Sequence, residues 1–118
     1  MKKITYLIFT SLFIVSCSNN SEDDLTVPVT LGITKYNQNV KIIIDNNCLN
    51  CHGTIPSNGA PMPLVTFSQV KEAVQNRGLL DRISRDQGAS GMMPNLGTRL
   101  PQNSIDLIID WNTDGLME

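Results

Sequence analysis

Cys48-Leu49-Asn50-Cys51-His52 holds two of the chain's three cysteines and its only histidine. Two thiols at this spacing can each add across one of the two vinyl groups of a porphyrin, and the adjoining imidazole then falls under the iron as an axial ligand. In an exported chain the pattern reads as covalent attachment of one haem, with Cys48 and Cys51 as thioethers and His52 on the metal. Three other chemistries use paired cysteines. A thiol-redox pair is expected inside a βαβ pattern, which is missing here, and Gly53-Thr54-Ile55-Pro56 does not continue a helix. Zinc needs four ligands, and beyond Cys17 the chain has no other Cys or His to offer. A disulfide between Cys48 and Cys51 would close a very short loop and stabilise little.

With one histidine, a second imidazole ligand from the same chain is impossible. A methionine thioether is the natural sixth ligand of an electron-carrying haem. Met62, Met92, Met93 and Met117 are the candidates. Met62 follows the motif closely in a Pro-rich loop, on the same side as His52. Met117 is next to the C-terminus and is expected to fray. Met92 and Met93 sit in Gly88-Ala89-Ser90-Gly91-Met92-Met93-Pro94. Thioether sulfur is a weak neutral ligand, so the chain must hold it in place. Pro94 biases Met93 toward an extended backbone, and the glycines let the strap pass close to a flat ring. Met93 is the choice, Met92 the reserve. The alternative is that both pack under a loop as core filler.

These features together resemble a single-haem class I cytochrome c, of the small kind common in Bacteroidota. The motif Cys48–His52 and Met93-Pro94 carry most of the likeness. Leu64-Val65-Thr66-Phe67-Ser68-Gln69-Val70-Lys71 and Ile105-Asp106-Leu107-Ile108-Ile109-Asp110-Trp111 add to it. The likeness covers roughly residues 36 to 116. It departs at Asn112, where such domains often carry an aliphatic residue, which leaves the packing of the last helical turn open. The resemblance implies an all-α domain of three to four short helices and long loops wrapped around one covalent haem. It also implies that a proline carbonyl, from Pro61 or Pro63, accepts a hydrogen bond from His52.

The elements that must position the ligands follow the helical period. Tyr36, Val40, Ile43 and Ile44 share one helix face leading into the motif. The β-branched run Ile42-Ile43-Ile44 would also suit a strand, and the resemblance decides for helix. Thr66 and Gln69 form a capping box opening a second helix, with Phe67, Val70 and Val74 on one side and Gly78 at its end. Leu79 to Arg85 forms a further short helix. Pro101 suits a first helical position ahead of Ile105, Ile108, Ile109 and Trp111, and Gly115 stops that helix.

The N-terminus adds location. Lys2 and Lys3 precede an uncharged stretch from Ile4 to Val15, the length of a signal-peptide core and too short to span a bilayer. It ends Ile14-Val15-Ser16-Cys17, which resembles a bacterial lipobox. The expected organisation is a signal peptide at 1–16, a lipidated polar tether at 17–33 and the haem domain at 34–118. Acylated Cys17 would hold the protein on a membrane of the cell envelope, at the periplasmic face or the cell surface. Loss of Lys2 and Lys3 leaves seven basic against 11 acidic residues, a formal charge of −4 that disfavours nucleic acid.

Only Tyr36, Phe67 and Trp111 of the chain's aromatics lie beyond the signal peptide. So small a domain with so few rings lacks core volume, and a covalent porphyrin would supply it. The haem-free chain is therefore expected to fold poorly. The expected function is one-electron transfer, not catalysis, by a monomer that meets redox proteins of the envelope. Arg82 or Arg99 could pair with the haem propionates. If the methionine ligand were labile, the iron could instead bind a gas or peroxide. Without haem, the two thiols would make a redox or structural module.

Overall fold

A π-helical turn, Tyr36–Val40, runs directly into α1, Lys41–Asn47. The computed structural model describes residues 32–118, which include the expected domain at 34–118. The signal segment, Cys17 and most of the tether lie outside the described residues. Tyr36, Val40, Ile43 and Ile44 are all buried, while Ile42 is 59% exposed. The helical face thus decides the conformation of the β-branched run, because a strand would have split these side chains between two faces.

Three more helices follow. The capping box of α2 (Phe67–Asn76) is present: Gln69 N–H donates to Thr66 Oγ1 at 3.3 Å, and Thr66 N–H donates to Gln69 Oε1 at 3.0 Å. Gly78, at φ 68°, turns the chain into α3 (Leu79–Ser84). That helix ends one residue before the expected Arg85, which is extended. Pro101 precedes α4 (Gln102–Thr113) as its cap instead of occupying its first turn. Ile105, Ile108 and Trp111 are buried, whereas Ile109 is partly exposed and does not join the core face. The helix continues past the exposed Asn112, so the departure there does not shorten it. The result is a small helical domain with no strand among the described residues. None of the described helices is long and apolar enough to cross a membrane.

The few aromatics are concentrated in one place. Tyr36 meets Phe67 at 5.4 Å and Trp111 at 5.5 Å between ring centroids, and Phe67 meets Trp111 at 6.1 Å. Such pairs contribute about 0.5–1.5 kcal/mol each beyond their area burial. The cluster locks α4 against the π-helical turn and the start of α2. The C-terminus closes over it instead of fraying. Trp111 Nε1–H and the Tyr36 N–H both donate to the Met117 carbonyl, at 2.7 and 2.9 Å. That indole anchor is what the expectation of a loose Met117 overlooked.

Candidate functional site

The two cysteines leave α1 on a tight turn. Cys48 N–H closes the helix onto Ile44 O, and Cys51 and His52 N–H both donate back to Cys48 O at 3.2 and 2.8 Å. A Cβ at Gly53 would stand 3.0 Å from the Leu49 carbonyl, so a side chain there would crowd the turn. Leu64 N–H then donates to His52 O at 2.8 Å. The imidazole is buried. Its Nδ1–H donates to the Met62 carbonyl at 2.7 Å. The expected acceptors, Pro61 and Pro63, flank the residue whose carbonyl accepts the bond; Met62 also lines the smaller of the two cavities beside this imidazole. A carbonyl can only accept, so this bond fixes the tautomer and leaves the lone pair on Nε2.

His52 lines two adjoining cavities of about 490 and 300 Å³. Met93 lines both as well, and Leu64 and Leu79 form shared walls. Cys48 and Cys51 line only the larger cavity, together with Ile83, Leu100 and a mouth of asparagines. Arg77 and Arg82 line only the smaller. Among the described residues no carboxylate lines either one. Met92 is buried but lines neither cavity. Of the two neighbouring thioethers, Met93 is the one on the cleft.

The strap bearing Met93 is tied to α3. Met93 N–H donates to the Arg82 carbonyl at 3.1 Å. Arg85 Nη1 donates to Ser90 O at 2.5 Å while its other nitrogens hold Asp81. Arg99, expected as a propionate partner, turns away onto the C-terminal end of α3. It donates to Arg85 O at 3.0 Å and Ser84 O at 3.5 Å, and to Gln102 at 2.9 Å. Arg77 was not singled out by sequence, since nothing in an exposed arginine after a helix marks it as facing a cleft.

Burial pushes the Cys48 thiol up to about 11. Both cysteines are free thiols. Among the described residues no cluster of three or more His, Cys, Asp or Glu could hold a bare metal ion. Chemically, the two thiols line one cavity and the two guanidinium groups the other, and the imidazole and the Met93 thioether line both. No protein-family model matches the chain, and neither a curated protein nor a solved structure matches it.

Proposed function

We propose that the chain binds one haem covalently and carries single electrons in the cell envelope. The observation that carries this reading is that His52 and Met93 line the same two cavities, with both motif cysteines on the wall of one. The apolar walls and the absence of carboxylates suit a flat, apolar, doubly anionic ring. Each thiol adds across one vinyl group: its sulfur bonds to one carbon, its hydrogen goes to the other, and no oxidant or reductant is needed. His52 offers Nε2 to the metal, while the Met62 carbonyl holds the ring in place and raises its basicity. Met93 offers a soft, neutral sulfur, held by its own N–H on α3.

Bound here, a haem would supply one-electron chemistry between the ferric and ferrous states, exchanged with donor and acceptor proteins. His52 and Met93 would hold the metal between an imidazole and a thioether, which would leave oxygen or a substrate no place to bind. Within this reading Cys17 is a lipidation site that tethers the domain to a membrane of the envelope. A thiol-redox role is disfavoured, because a reactive dithiol needs a lowered thiol pKa and burial moves Cys48 the other way.

The test is a visible spectrum of the full chain, expressed with its export signal and a c-type maturation apparatus. A low-spin reduced spectrum unchanged by carbon monoxide supports the carrier. Ready binding of carbon monoxide by the unmodified protein refutes it in favour of a ligand-binding haem protein.

A further inference from the structure

We infer that Arg77 and Arg82 form the carboxylate-binding end of the cleft and seat the two propionates of the haem. The inference rests on the haem reading above and adds an orientation to it. In a haem the vinyl groups and the propionates occupy opposite edges, with the iron between them. The cleft has the same order: thiols at one cavity only, guanidinium groups at the other only, His52 and Met93 at both.

The other cationic groups nearby are engaged elsewhere. Arg85 is held by Asp81 and Ser90, and Arg99 by carbonyls of α3 and by Gln102. Among the described residues Arg82 has no carboxylate partner. One of its nitrogens reaches the Gly91 carbonyl at 3.4 Å, which leaves most of its five donors unused. Arg77 has only Glu72, at 3.7 Å, in a pair whose side chains are 59% and 51% exposed. An exposed pair of this kind is worth little and yields readily to a carboxylate held by a covalent ring. Two positive charges at the edge of the ring favour the ferrous state, so removing them shifts the couple toward ferric iron.

The experiment is reduction potentiometry on the matured full chain and on Arg77→Gln, Arg82→Gln, the double variant, the two Arg→Lys variants and Lys41→Gln. Lys41 lies on α1, lines neither cavity and pairs with Asp45, so its variant reports the loss of one surface positive charge away from the cleft. The double Gln variant is expected to shift the ferric-to-ferrous equilibrium about fivefold toward ferric, or ~40 mV at about 59 mV per tenfold for one electron. Each single Gln variant should give part of that shift, each Lys variant should restore most of it, and added salt should shrink it. Arg77→Gln is the cleaner single change, because among the described residues the Arg77 side chain pairs with Glu72, whereas Arg82 hydrogen-bonds Gly91 of the Met93 strap. Covalently haem-loaded Gln variants no different from Lys41→Gln overturn the inference. A parent chain that carries no haem overturns the proposed function itself, so the two failures are distinguishable.

Discussion

His52 Nδ1–H and the Met62 carbonyl meet at 2.7 Å, ten residues apart in sequence. Met62 thus belongs to the imidazole side of the cleft through its main chain, while its side chain packs against the core and lines the smaller cavity. In Met62→Leu the carbonyl stays, so the haem spectrum should remain low-spin and insensitive to carbon monoxide. In Met93→Leu the sixth position opens, and the reduced protein should take up one carbon monoxide per haem. Met92→Leu, at a buried site off the cleft, should cost no more than about 1.5 kcal/mol of stability and leave ligation unchanged. Optical titration with the gas separates the three. Uptake by Met62→Leu but not by Met93→Leu would reverse the assignment.

Gly91 sits two residues before Met93 with φ 73°, and a Cβ there would stand 2.5 Å from Arg85 Nη1 and 3.2 Å from Arg82 Nη1. Gly91→Ala should therefore lose about 1–2 kcal/mol from the left-handed backbone alone. Displacement of the two arginines should also loosen the strap, seen as faster carbon monoxide binding. Adding Arg85→Ala should relieve the clash but not the backbone cost, and restore only part of the stability in urea unfolding. An unchanged midpoint in Gly91→Ala would show that the strap does not need the glycine.

The Tyr36 ring packs on Phe67 and Trp111, and its buried hydroxyl has no hydrogen-bond partner among the described residues. An unpaired buried hydroxyl costs about 1–3 kcal/mol of desolvation. Tyr36→Phe keeps the ring contacts, so it should be at least as stable as the parent, by up to about 1 kcal/mol in equilibrium unfolding. A clear loss of stability would mean that the hydroxyl has a partner in solution.

Local contacts made by side chains of a given type are legible in the sequence, whereas main-chain contacts and the facing of distant side chains are not. Thr66 and Gln69 announce their helix because the cap is made by side chains of the right type at the right spacing. The cysteine–histidine motif is legible for the same reason. The acceptor for His52 is a backbone carbonyl, which any residue supplies, so nothing marked Met62 over Pro61 or Pro63. Met117 is secured because Trp111 and Tyr36 both reach its carbonyl, a long-range closure that local composition cannot reveal. Arg77, Arg82, Arg85 and Arg99 look alike in sequence; which of them face the cleft depends on how α3 and the strap pack.

A haem-free chain should hold its helices poorly. In Cys48→Ser/Cys51→Ser the cavity beside Leu64, Leu79, Ile83 and Leu100 has nothing to fill it, and cavity-lining side chains lose packing partners. Circular dichroism should show a broad melt well below that of the matured protein. A sharp cooperative melt at the parent's temperature would show that the helical core needs no ring.

Intact-mass spectrometry of the mature chain, after acid–organic extraction that removes non-covalent haem, tests the central claim most directly. The expected result is one haem added to the chain, with fragmentation placing it on the peptide containing Cys48 and Cys51. The same spectrum should show processing at Cys17. A mass equal to the bare polypeptide, from cells that mature other c-type haem proteins, would contradict the account.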